Sequence, residues 1–348
     1  LGLLAAALAF PPGDVLVLAQ QPPQKPPQEQ KKEKPEGEFQ LSVEVPLVNV
    51  DVVITDNNGT FLDGLRRENF RVLEDNVPQT ITNFAPTDAP ITMVLLVEFS
   101  RLGRGIFAYY STIMAQDFLR QLKPEDWIAL VSYDLKTRIE VDFTRNKDEV
   151  RRTLMSMYFP GFTEAVLYDA VYETLDQLKD VKGKKSILIL GTGLDTFSKK
   201  SLDEVLKRLR ETDVTIYTVV AGKAYMEYLD ARGAFNSTWG FVFRMNLLQA
   251  ENQMRAFASM TGGRSWAPRF EGEWPGIFSD VAASLRNQYG IGYSPTNRVR
   301  DGKLRKIKVQ LVDANGAPLI VQDQKGKKVK YVIYAREGYL APKPGISD

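Results

Sequence analysis

The chain has 348 residues, with 45 Lys and Arg against 43 Asp and Glu for a formal net charge of +2, and 44% hydrophobic and 25% charged residues. This composition excludes global disorder, a collagen-like chain and a polytopic membrane protein, and the lack of a basic excess speaks against nucleic-acid partners. Cys and His are both absent. That removes Cys/His zinc sites, disulfides, thiol nucleophiles and His-based triads, so the chain is expected not to be an enzyme.

Residues 1–10 are almost wholly apolar, but Pro11, Pro12, Gly13 and Asp14 break the run short of the roughly 20 apolar residues a membrane span needs. Val17 and Ala19 suit the small-residue positions before a peptidase cut, so 1–19 read as a signal peptide removed between Ala19 and Gln20, with a periplasmic or extracellular destination. Residues 20–38, rich in Gln, Pro, Lys and Glu, read as a disordered linker.

Residues 39–89 read as one part of a β-sandwich. Alternating Val and Leu predict one or two strands over 40–56, then Asn57, Asn58 and Gly59 supply a turn, and short strands follow at 70–73 and 80–84 across Asp75 and Asn76. From 90 to 287 strands and helices alternate. Nearly continuous apolar runs at 92–97, 186–190 and 214–220 predict strands buried on both faces, with further strands at 127–133 and 137–141 and an edge strand near 264–267. Helical spacing runs through Ile106, Tyr109, Tyr110, Ile113, Met114 and Phe118; through Val150, Leu154 and Met157; through Leu167, Val171, Leu175 and Leu178; and through Leu202, Val205, Leu206 and Leu209, with last helices at 247–260 and 277–285. Between them, 222–246 read as a long connection on the ligand-binding edge of the sheet, carrying Tyr225, Tyr228, Phe235, Trp239, Phe241 and Phe243 as partner-contact candidates. Strands return at 289–293, 306–312, 319–322 and 328–336, so 288–342 read as the sandwich's second part, with 343–348 as a tail. The expected fold class is therefore α/β: a doubly wound, mostly parallel sheet inserted into a β-sandwich built from N- and C-terminal segments.

Three stretches carry a family resemblance: the apolar strand ending in Glu98-Phe99-Ser100-Arg101-Leu102; Gly161-Phe162-Thr163-Glu164-Ala165-Val166-Leu167-Tyr168-Asp169-Ala170; and the strand followed by Gly191-Thr192-Gly193-Leu194-Asp195-Thr196. Together they resemble a von Willebrand factor type A domain. With the flanking 68–81 and 335–342, residues 40–342 resemble the VWFA-related proteins of acidobacteria. The resemblance implies a metal-ion-dependent adhesion site at the C-terminal ends of the strands, with a D-x-S-x-S motif, a Thr and a second Asp. Aligned residue by residue, Glu98 stands for the first Asp, Ser100 is kept and Leu102 replaces the second Ser. Ala165 falls at the Thr, with Thr163 as the substitute if the loop is longer. Thr192 falls at the second Asp, with Asp195 as the alternative. Octahedral magnesium needs about six oxygens, so this degenerate site is expected to hold no metal. Mg²⁺ or Ca²⁺ at a rearranged site using Glu98, Glu164 and Asp195 is the alternative, and capping of the following helices is the simpler role for Ser100 and Thr163.

The expected function is a secreted protein-interaction or adhesion module that meets its partner through 100–104, 162–164, 192–196 and the aromatic connection, with Arg101 and Arg104 supplying charge. The alternative is a structural or assembly subunit of an extracellular structure or filament. Gly191-Thr192-Gly193 lacks the rest of a phosphate loop and reads as a tight turn. The basic residues Lys303, Arg305, Lys306, Lys308, Lys325, Lys327, Lys328 and Lys330 read as one solvated strand face, with an anionic polysaccharide or lipid headgroups as further candidate partners.

Overall fold

The computed structural model describes residues 47–85, 90–102, 110–157, 161–230, 233, 237–322 and 326–344. The expected leader and linker, the start of the first strand, Arg104, Ile106, Tyr109, Phe235 and Lys325 lie outside these residues.

Two four-stranded antiparallel sheets enclose one apolar core. The first contains β1 (Val48–Asp56) and the second β2 (Phe70–Glu74) and β3 (Val77–Gln79), while β4 (Ile81–Ala85) returns to the first. Alternation along β1 sends Val48, Val50, Val52 and Ile54 into that core, opposite Phe70 and Val72 of β2. Asp75 and Asn76 both adopt left-handed φ (47° and 67°), as a two-residue hairpin turn requires.

The chain then enters a six-stranded sheet. Its strands are β5 (Ile91–Glu98), β6 (Trp127–Tyr133), β7 (Thr137–Thr144), β8 (Lys184–Gly191), β9 (Thr215–Val220) and β10 (Ser265–Trp266). The order is β10-β9-β8-β5-β6-β7, parallel except for the β6–β7 pair. Successive residues of β5 feed opposite cores, Met93, Leu95 and Val97 on one face and Val94 and Leu96 on the other. Helices cover both faces, which is why the strand is apolar throughout. One face is covered by α1 (Lys147–Ser156), with Val150 and Leu154 buried, and by a helical stretch whose middle, Met114–Phe118, is π-helical. The other takes α2 (Leu167–Gln177) and α3 (Leu202–Glu211).

The long irregular connection expected over 222–246 is a correction. It folds as α4 (Gly222–Asp230) and the first turns of α5 (Thr238–Thr261), whose start lies nine residues before the apolar stripe that marked it. Ser237 caps α5, its Oγ accepting from Gly240 N at 3.1 Å. Aromatic and β-branched residues of modest helix propensity fill that first half, of which Phe243 and Leu247 pack on Leu194, Met226 and Ala250. Gly262 ends α5 with φ 86°.

After α6 (Trp274–Arg286) the chain returns directly to the first antiparallel sheet with β11 (Gln288–Tyr293), followed by β12 (Leu304–Leu311), β13 (Val321–Gln322), β14 (Lys328–Val329), β15 (Tyr331–Ala335) and β16 (Gly338–Leu340). The antiparallel sheets have the orders β15-β1-β11-β4 and β16-β12-β2-β3. The strand expected over 328–336 is thus two, β14 and β15. The fold is a doubly wound, mostly parallel sheet set between the halves of an antiparallel β-sandwich. Exit and re-entry are neighbours, because β4 pairs with β11 (Ala85 opposite Gly290).

Candidate functional site

The C-terminal ends of β5, β8 and β6 bring Glu98, Gly191 and Tyr133 together. Glu98 is fully buried, and both its carboxylate oxygens are occupied. Ser100 Oγ donates to Oε1 at 2.6 Å, while the Thr192 N–H and hydroxyl donate to Oε2 at 2.6 and 2.8 Å. The Thr192 hydroxyl in turn accepts from Leu194 N at 3.2 Å. Gly191 makes the room: a Cβ there would lie 2.6 Å from Glu98 Oε2 and 2.8 Å from the Tyr133 hydroxyl. Burial pushes the Glu98 carboxyl above its usual range, opposed by the hydrogen bonds from Ser100 and Thr192. Burial, then the Glu98 charge, pushes the Tyr110 and Tyr133 hydroxyls well up.

The remaining aligned positions are built into the loops. Leu102 packs on an apolar cluster of Leu194, Met226, Leu247 and Ala250, which Tyr225 and Phe243 also join. Ala165 is buried and exchanges hydrogen bonds with Thr196 (Ala165 N to Thr196 Oγ1, 2.9 Å; Thr196 N to Ala165 O, 2.8 Å). Asp195 Oδ1 accepts from Tyr168 N at 3.0 Å and from Ser198 Oγ at 2.5 Å, so it caps α2 from the neighbouring loop. Burial raises its carboxyl, and those same bonds oppose the rise.

The helix-capping role expected of Thr163 is therefore corrected, whereas the start of the helix after Ser100 lies outside the described residues. Ser100 bonds Glu98, and at the start of α2 Asp195 and Ser198 satisfy the N–H groups of Tyr168 and Asp169. Thr163 is exposed, its N–H donating to Glu164 Oε2 at 3.1 Å.

Magnesium asks for about six oxygens free to turn toward it. Here the Glu98 oxygens are taken, Leu102 and Ala165 have none, and Asp195 is committed to a helix end. Among the described residues no three carboxylates could share an ion, so Glu98, Glu164 and Asp195 do not form a cluster. This donor set does not fit a divalent cation held in the manner the resemblance implies.

Around the closed centre, the rim is exposed. Arg101 faces solvent while its backbone N–H bonds Phe162 O at 2.7 Å, and Phe162 is itself exposed. Of the aromatic candidates, Tyr225 and Phe243 meet edge to face, ring centroids 6.1 Å apart, as a small local core. Phe241, 60% exposed, continues outward with Val242, Met245 and Leu248 as an apolar stripe on α5. Tyr228 and Trp239 belong to α4 and α5, and their side chains are outside the described set. Tyr110 and Tyr133 were not singled out as site residues by sequence reasoning, and Gly191 was read only as part of a tight turn; its signal was a glycine closing the apolar run 187–190 beside an acid that ends the neighbouring strand.

Residues 93–255 match the family model of the von Willebrand factor type A domain, and this part of the chain is a domain of that family. A fold of this kind hosts many functions, so the function has to be argued from the site. No curated protein sequence matches the chain. Similar solved structures include BatB from Bacteroides thetaiotaomicron (10% identity, TM-score 0.39, 56% of this chain and 98% of that one). Another is the vWF domain of a type V pili tip protein from Porphyromonas gingivalis (11%, 0.42, 57% and 95%). A third is proximal thread matrix protein 1 from the mussel byssus with a zinc-occupied MIDAS motif (12%, 0.45, 61% and 50%), of whose length the match spans half. At these identities the likeness concerns the fold. Among the described residues no helix is long and apolar enough to cross a membrane.

Proposed function

We propose that this chain is a secreted or periplasmic interaction module whose type A domain binds a protein partner by direct side-chain contact, without a bridging cation. The observation that carries the reading is the buried Glu98 carboxyl, whose two oxygens are taken by Ser100 and Thr192. Where the family's site would present an ion to a partner's carboxylate, this one presents a sealed, internally hydrogen-bonded plug. Recognition then falls to the rim: exposed Arg101 and Phe162 and half-buried Glu164 on the loops, and exposed Phe241 with its apolar neighbours on α5. Exposed aromatic and Arg side chains are the residue types that anchor interfaces.

The test is calorimetry with Mg²⁺, Mn²⁺ and Ca²⁺ on the full chain, beside a variant carrying Glu98→Asp, Leu102→Ser, Ala165→Thr and Thr192→Asp. The wild type is expected to give no binding heat and the variant to gain it. Saturable heat from the wild type, stoichiometric and removed by EDTA, sinks the cation-free reading.

A further inference from the structure

We propose that the cleft between the outer face of β12 and the C-terminal ends of α3 and α5 binds an acidic oligosaccharide. The cavity, about 600 Å³, is assembled from segments distant in sequence: the β2–β3 turn, Arg210 of α3, Met260 of α5, β12 and the start of β16. A space of that size between two packed layers is the usual setting for a small-ligand site.

Arg210, Lys306 and Lys308 line it, and among the described residues none of the three has a carboxylate within ion-pair distance. Neighbouring cations elsewhere do find partners: Arg208 meets Asp176 at 2.6 Å and Arg305 meets Asp301 at 2.9 Å. The burial pattern of β12 points Lys306 and Lys308 to the open face while Ile307 and Val309 go into the sandwich core. That alternation alone explains exposed lysines. It does not explain why a third unpaired cation from the α/β layer meets them over Met260 and Leu304.

The chemistry of the lining chooses the ligand. Three cations suit carboxylate or sulfate groups. Glu337 and Asp75 share the cleft and would repel a densely charged polyphosphate, yet they accept hydrogen bonds from hydroxyls. Met260 and Leu304 offer apolar contact to the C–H face of a sugar ring. A peptide added as a strand is disfavoured because the β12 main chain is already used on both sides. Asp75 N donates to Lys306 O at 2.9 Å, and Ile307 N donates to Glu337 O at 2.9 Å. This inference does not rest on cation-free recognition at the other site, and either can fail alone.

The full chain is titrated by calorimetry with tetragalacturonate, maltotetraose and tetraglutamate, at low and at high salt. Tetragalacturonate is expected to bind, more weakly as salt rises, and at least about tenfold more weakly to Arg210→Glu/Lys306→Glu. Lys328→Glu/Lys330→Glu, which alters exposed lysines outside the cleft, should bind like the wild type, and melting curves should show all variants folded. Equal binding of maltotetraose, tighter binding of tetraglutamate, no tetragalacturonate binding, or an equal loss in the Lys328/Lys330 variant each overturns the proposal. If Arg210→Glu/Lys306→Glu does not fold, Lys308→Gln alone must weaken binding for the proposal to stand.

Discussion

At the scale of single residues, the upper end of the sheet shows how a buried acid is satisfied where its surroundings discourage charge. A buried carboxylate is tolerated only when donors converge on it, and Glu98 has three: the Ser100 hydroxyl and the Thr192 N–H and hydroxyl. The donors depend on the acid as much as it depends on them. Glu98→Ala would take this acceptor from the buried Thr192 N–H and hydroxyl and one partner from Ser100, and is expected to destabilise the protein by about 2–4 kcal/mol, the cost of orphaned buried donors. Chemical denaturation measures it. Glu98→Asp shortens the side chain by one methylene and should fall between the two. A Glu98→Ala protein as stable as the wild type would mean the cluster does not hold the loops together. The sequence showed Ser100 and the substitutions at Leu102, Ala165 and Thr192, because these are questions of residue type. It did not show that Glu98 turns inward, because that depends on space left by Gly191 on a strand 93 positions away.

At the scale of elements, legibility followed burial symmetry. Strands β5, β8 and β9 were readable because helices cover both their faces and the central run of each is largely apolar. The first half of α5 was not, because its exposed face is itself apolar (Phe241, Val242, Met245, Leu248), which erases the period a helix otherwise shows. Nor could any one-dimensional pattern reveal the seam where β1, β8, β9 and β11 meet. There Thr215 Oγ1 donates to Asp51 Oδ2 at 3.1 Å, Lys184 Nζ donates to Gln288 O at 2.6 Å, and Arg336 Nη2 donates to Thr212 O at 2.6 Å. Asp51 is faced by Lys184, Thr215, Asp213 and Arg336. Desolvation pushes its pKa up to about 6, with Lys184 and Thr215 opposing and Asp213 adding to the rise. A carboxyl raised in the folded state binds its proton more tightly there than in the unfolded chain. Its contribution to stability is therefore full below the unfolded pKa near 3.8 and is lost as pH climbs through about 6. Asp51→Asn should remove that slope: relative to the wild type, the variant gains thermal stability between pH 4 and pH 7. Parallel melting curves for the two proteins over that window would refute the assignment.

At the scale of the whole molecule, the insertion has a consequence for folding. The strands that bracket the α/β layer are already paired, Ala85 opposite Gly290 and Phe84 opposite Ile291, so the sandwich does not need the inserted layer to bring its halves into register. Its core is supplied from both sides of the insertion, by β1 and β2 from one segment and β11 and β12 from the other, so neither segment can bury its apolar face alone. A chain joining residues 47–85 to 288–344 through a short hairpin turn should therefore fold as an autonomous β-sandwich. The cut exposes the seam, and Asp51 and Arg336 would then meet water in place of Thr215, Lys184, Asp213 and Thr212, so hydration replaces the partners that the cut removes. The expected result is a β-type circular dichroism spectrum, a single cooperative thermal transition and monomeric light scattering, while 47–85 alone stays unfolded. If the joined chain remains unfolded or aggregates, the α/β layer is a required part of the sandwich's stability, and the two layers form one folding unit in spite of their separate cores.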